Sequence, residues 1–206
     1  MAAIFGAKIE IPGQMMKTTA LAALSLALLV SGASGQDSGK AEMFAGYSLM
    51  RSGTLDGLGV YEFTGFDVDG TYYFLHKGGL AAGLTAEISY YRKDVSSRFP
   101  GGALREYGLM FGPRCKVRIG RVEPFIHGLA GYTNDFANGP GLANTSGNEF
   151  SMKAGGGLDV PVSKHFAVRA GELNFYFYTG WVPPFGGPNW AHIKNFTYST
   201  GIVVKF

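Results

Sequence analysis

Few residues of this 206-residue chain have the type and spacing to do chemistry. Of the four histidines, His76, His165 and His192 fall in segments that read as connections, where a solvated ring is the ordinary reading. His127 lies mid-segment in "PFIHGLAGYT". A histidine set beside a serine and an acid can activate a nucleophile, because the ring takes the hydroxyl proton and the acid orients it. No motif pairs His127 with a nucleophile, and a hydrogen-bonded interior histidine fits equally well. "AGGGLD", Ala154–Asp159, has glycines like a phosphate loop but lacks the lysine and following helix such a loop requires. "NTS" (Asn144–Ser146) and "NFT" (Asn195–Thr197) match a glycosylation pattern that carries little weight alone. The single Cys115 excludes an intramolecular disulfide and any multi-cysteine metal site. The sequence therefore points to no catalytic, cofactor-binding or metal-binding set.

What remains is a constellation of charges. Glu42, Asp67, Asp69, Glu87, Glu106, Glu123, Asp159 and Glu172 stand against Arg114, Lys153, Arg169 and Lys205, each on the polar side of an alternating segment. If these sides face one interior, the charges must be paired and hydrogen-bonded to persist there. Counting back equally from the turn around Ser163–His165 sets Asp159 opposite Arg169. A proton or ion path through such a network is the functional alternative to a purely structural one.

The elements that would position these charges are strands. Glycine is abundant (32 residues), with 16 Phe and 11 Tyr, a composition of strands and tight turns. Eight segments alternate: about 41–52, 65–75, 80–92, 104–115, 122–133, 148–160, 166–178 and 195–206. Each runs about 11–13 residues, twice the usual soluble strand of roughly 5–6. In the first, Met43, Ala45, Tyr47 and Leu49 oppose Glu42, Phe44, Gly46 and Ser48; in the last, Phe196, Tyr198, Ile202, Val204 and Phe206 oppose Thr197, Ser199, Gly201 and Lys205. The fifth carries Phe125, His127 and Leu129 on the side of Glu123. The seventh changes phase near Ala170–Glu172, which predicts a bulge. Connections after the second, fourth and sixth strands are short, and the others are longer, up to "TGWVPPFGGPNWAHIK". The expected fold is all-β: an eight-stranded antiparallel up-and-down β-barrel.

The apolar side would face outward. In a soluble sandwich the solvated side is rich in Lys, Glu and Thr, whereas here it is small, with isolated charges, as suits the cramped interior of a small barrel. Eleven residues at ~3.3 Å each, tilted about 45°, rise roughly 25 Å, the height of a lipid-facing band. Aromatics fall near both band edges, Tyr47, Phe66, Tyr90, Tyr132, Phe150 and Phe196 at one and Phe74, Phe166 and Phe206 at the other, as membrane girdles do. A soluble ligand-binding barrel of the lipocalin sort is the alternative, since periodicity does not say which face is inside.

Export is expected as well. "MKTTALAALSLALLVSGASG", residues 16–35, has a positive start, an apolar run from Ala20 to Val30 and a small-residue cleavage site before Gln36. That run is shorter than the roughly 20 residues of a membrane-spanning helix. Residues 1–15 do not resemble a signal and read as an upstream extension, so the barrel is assigned to 36–206. No cysteine follows the cleavage site, unlike a lipoprotein signal. A net charge of +3 without a basic run gives no reason to expect nucleic acid as a partner.

"EMFAGYS", "FGPR", "AGGGLDV" and the terminal "YSTGIVVKF", in that order, resemble the bacterial outer-membrane β-barrel domain family, the eight-stranded OmpA-like type. The resemblance covers the exported chain. It implies a monomer in outer-membrane lipid, without cofactor, acting as a scaffold, a surface protein or a narrow porin-like solute path. It also implies that Phe206 resembles the terminal aromatic signal read by the barrel assembly machinery. Two alternatives come with it: adhesion through the external loops, and a lipid-A-modifying barrel enzyme, in which His127 would be the residue to examine. The peptidoglycan-binding domain of longer members is not expected here.

Overall fold

The computed structural model describes residues 40–52, 61–96, 101–138, 145–178 and 194–206. The upstream extension 1–15, the signal segment 16–35, the expected mature start at Gln36, and Asn144, Trp181, Trp190 and His192 of the long connections lie outside these residues.

Eight strands form one sheet: β1 (Ala41–Ser52), β2 (Tyr61–Lys77), β3 (Leu80–Asp94), β4 (Ala103–Val117), β5 (Glu123–Asn138), β6 (Thr145–Pro161), β7 (Phe166–Tyr178) and β8 (Lys194–Lys205). Each pairs antiparallel with its neighbours in sequence, and β8 returns to β1, closing the barrel. Closure leaves no unpaired edge along strands of this length. The short hairpins follow from turn chemistry. Gly78 and Gly79 both have positive φ between the paired Lys77 and Leu80, the two-residue turn whose twist matches the strands. Gly120 takes the left-handed position in the β4–β5 turn.

Four strands outrun the sequence expectation at their long-connection ends. β2 begins at Tyr61 rather than near 65, and β6 at Thr145 rather than near 148; β3 and β5 continue to Asp94 and Asn138. Beyond the apolar band most outward side chains turn polar, Glu62, Thr64, Arg92, Asp94, Asn134 and Asn148 among them, so alternation fades while the backbone ladder continues. β4 runs on to Val117, past the expected end at Cys115. The phase change in β7 is a bulge: the register shifts between Arg169 and Glu172, so these two residues, three apart, both point inward.

The polarity of the barrel is the reverse of a soluble protein's. Buried inward positions include Asp67, Asp69, Glu87, Arg114, Lys153, Arg169 and Glu172. Outward positions carry the large apolar chains, with Leu109 62 %, Tyr132 67 % and Ile126 68 % exposed. Outward aromatics contact one another across strands: Phe66–Tyr90 at 5.4 Å between centroids, Tyr90–Tyr107 at 4.9 Å, Tyr132–Phe150 at 5.9 Å and Phe175–Phe196 at 5.8 Å. A continuous apolar wall of this kind would be an aggregation surface in water and is a solvated surface in lipid.

Candidate functional site

Period-two alternation sends one side of every strand into the lumen, and the inward charges meet there in three tiers. Nearest the short turns, Lys116 Nζ donates to Glu42 Oε1 at 2.7 Å and lies 3.4 Å from Glu123 and 3.2 Å from Asp159. Lys205, opposite Glu42 in the β1–β8 register, is 3.8 Å from that carboxylate and also donates to Glu123. Tyr73 completes this tier by donating its hydroxyl to Glu42.

Two arginines fill the middle. Arg114 grips Asp69 with a two-nitrogen fork at 2.9 and 3.0 Å, a geometry only a planar guanidinium supplies. Arg169 binds three carboxylates: Asp159 at 2.9 Å through Nε, and Asp69 at 2.9 Å and Glu172 at 2.6 Å through Nη1. Its guanidinium also lies 4.0 Å from the Phe44 ring centre and 4.4 Å from that of Phe125, so its faces as well as its edges are occupied. Both arginine side chains are wholly enclosed.

The tier toward the long connections pairs Lys153 with Glu87 at 2.7 Å. Asp67 there accepts from Tyr91 at 3.0 Å and Ser199 at 2.6 Å. Beside it, Met110, opposite Glu87 in the register, and Leu129 and Tyr176, both opposite Lys153, form a small apolar cluster inside the barrel.

His127 points inward, as the parity of β5 requires, and both ring nitrogens are engaged. Nδ1 faces Arg114 Nη2 at 3.2 Å, and Nε2 faces Asn174 Oδ1 at 2.7 Å. Arginine only donates and an amide oxygen only accepts, so this arrangement fixes the neutral tautomer with the proton on Nε2. Asn174 in turn donates to Glu172 at 2.9 Å. The ring's hydrogen-bond partners are thus an amide and a guanidinium, neither of them a nucleophile.

The structure brings Asp159, Arg169 and Glu172 into one cluster and Glu42 with Lys205 into another, linked through Lys116. Phe206 lies apart from both, on the outer wall, its backbone N–H donating to Ala41 O at 2.9 Å. Lys116 is the functional residue that the sequence reading missed. It follows Arg114 by two positions and so shares its side; extending β4 by one more period would have found it. No group of three or more metal-ligating side chains is arranged to hold a metal among the described residues.

No family model matches the chain, and no curated protein sequence matches it. Solved structures do. Neisserial surface protein A superposes with a TM-score of 0.62 at 12 % identity, over 83 % of this chain and 100 % of that one. Ail, the attachment invasion locus protein of Yersinia pestis, does so with 0.56 at 19 % identity, over 82 % and 100 %. Ail in complex with the heparin analogue sucrose octasulfate gives 0.53 at 17 % identity, over 82 % and 100 %. At such identities the likeness is one of fold: the closed eight-stranded barrel of bacterial surface proteins.

Proposed function

We propose that this chain is a monomeric outer-membrane barrel with a sealed lumen, a scaffold holding its long connections at the cell surface. The observation that carries the reading is the inversion of polarity, with ion pairs inside and large apolar side chains outside. An apolar wall of roughly 25 Å on a closed antiparallel barrel suits a lipid bilayer. The likeness in fold to bacterial surface and attachment proteins supports the same setting.

The seal follows from the middle tier. Arg114 and Arg169 cross the lumen at the level of Asp69 and are held by carboxylates and rings on several strands. Eight strands enclose space for side chains only, whereas water-filled porins use about 16–18. The proposed role is therefore neither a general porin nor an enzyme, since His127 is enclosed and its ring is committed to Arg114 and Asn174. Purified protein in planar bilayers should insert without sustained conductance steps. Stable open-channel currents would overturn the sealed reading. Protein recovered from outer-membrane fractions should begin at Gln36 or within a few residues of it, and an intact Met1 would contradict export by cleavage.

Adhesion is the second reading, favoured by Arg92 and Arg105. They face each other directly across β3 and β4 on the outer side, near the long-connection end. Ail, similar in fold, has been crystallised with a sulfated heparin analogue. Retention of the refolded barrel on immobilised heparin, lost in an Arg92→Gln/Arg105→Gln variant, would support adhesion. Equal elution of both proteins would remove it.

A further inference from the structure

The lumen is filled in the middle but opens at the short-turn end into a cavity of about 490 Å³. Its floor is electrically balanced: Glu42 and Glu123 face Lys116 and Lys205, and the four are joined by ion pairs. Its rim is not. Lys77, Arg118 and Lys164 line the opening from three different hairpins. Among the described residues no carboxylate lies within ion-pair distance of Lys77 or Lys164. Arg118 reaches only Glu123, at 3.9 Å, with its side chain 67 % exposed.

The acids at this end, Glu42, Glu123 and Asp159, are buried and already held by Lys116, Lys205 and Arg169. They leave the rim cations uncompensated. Turn geometry asks for glycine at 78, 79 and 120 and is indifferent to the charges beside it. Three exposed like charges around a concave mouth raise a positive potential over it, which an entering anion would offset. The volume lies within the range of about 300–1,000 Å³ of small-molecule sites.

We propose that this cavity binds a small polyanion, a molecule presenting two or more phosphate or carboxylate groups, from the compartment that the short turns face. Lys77, Arg118 and Lys164 contact its anionic groups, and the Glu42–Lys116–Glu123 floor sets the depth of entry. The inference rests on the cavity and its charges, not on the barrel's role at the surface.

The test is calorimetric titration of the full-length protein as purified in zwitterionic detergent. The probes are tripolyphosphate and citrate, with sodium chloride at matched ionic strength as the reference. One saturable site is expected for at least one probe, and which probe binds separates phosphate from carboxylate chemistry. The triple variant Lys77→Gln/Arg118→Gln/Lys164→Gln should weaken that site by about tenfold or more, because the steering charge is gone. These side chains are exposed, so the barrel should still fold, which resistance to unfolding at room temperature in the same detergent would confirm. Arg121→Gln, in the β4–β5 turn but outside the cavity lining, should bind like the parent. Heats that track ionic strength without saturating, or equal loss in the Arg121 variant, would overturn the proposal.

Discussion

Arg169 Nε donates to Asp159 Oδ1 at 2.9 Å across the β6–β7 ladder, while Nη1 of the same guanidinium binds Asp69 and Glu172. One cation thus serves three carboxylates drawn from β2, β6 and β7. The two ends of the Asp159–Arg169 pair are unequal, which makes the pair testable. Removing Arg169 leaves Glu172 without its nearest guanidinium and Asp159 dependent on Lys116, whereas removing Asp159 leaves Arg169 with two partners. Arg169→Met should cost about 3–5 kcal/mol, the usual penalty for stranding a buried charge, and Asp159→Asn clearly less. The double variant should be less destabilised than the sum of the singles. Urea unfolding in detergent micelles measures all three; strict additivity would show that the pair does not couple.

Gly155 is inward and Gly128 outward, and they should respond oppositely to a methyl group. A Cβ on Gly155 would overlap Asn174 Oδ1 and Leu173 O, while one on Gly128 would meet nothing within 4 Å. Gly155→Ala therefore pushes away the amide that accepts from His127 and should cost about 1–3 kcal/mol by overpacking. Gly128→Ala should lie within about 0.5 kcal/mol of the parent. Equal effects in the same unfolding assay would mean that the Gly155–Asn174 fit does not matter.

Vesicles carrying the protein should not swell in a disaccharide gradient. The middle tier holds Arg114 against Phe125 at 4.7 Å and Arg169 against Phe44 at 4.0 Å, with no exposed surface on either guanidinium. Swelling above that of empty vesicles would show that the two arginines do not close the lumen.

Phe206 sits on the outer wall, half exposed, where its ring contributes less than the roughly 1.5–3 kcal/mol of a fully buried side chain. We expect it to act mainly as an assembly signal. Phe206→Ala should lower the amount inserted in cells much more than it lowers stability after refolding in detergent. Normal insertion with a matching loss of refolded stability would make it an ordinary packing residue.

The barrel was legible because its two environments differ so sharply. Each strand reports its inward and outward sides through alternation, and the break in phase that the sequence shows, at Ala170–Glu172, is the bulge that brings Arg169 beside Glu172. A second shift, between Tyr73 and Leu75 in β2, went unread because Phe74 and Leu75 are both apolar. Less legible were the strand ends, where most outward side chains turn polar, and Lys116, which lay just past an end set too early. The identity of the partners was harder still. Parity says that Arg114 and Asp69 share the lumen, but they lie 45 residues apart on β4 and β2, and only the shear of the closed barrel brings them to one height. The hydroxyls of Tyr73 and Tyr91 carry no sign in the sequence that they would turn inward to bind Glu42 and Asp67 rather than join the outer aromatics, except their place in the alternation.

The central claim is that lipid covers the outer wall while the charges lie within, and spin labelling tests it most directly. Single cysteines replacing Leu109 and Ile126 on the outer wall, in a Cys115→Ser background, would be nitroxide-labelled and reconstituted into bilayers. Ser96, at the exposed end beyond β3, would provide the aqueous reference. Labels at 109 and 126 should collide readily with oxygen and scarcely with a water-soluble nickel chelate, while the label at 96 should show the reverse. Nickel accessibility at 109 and 126 equal to that at 96 would place the apolar wall in water and contradict the account.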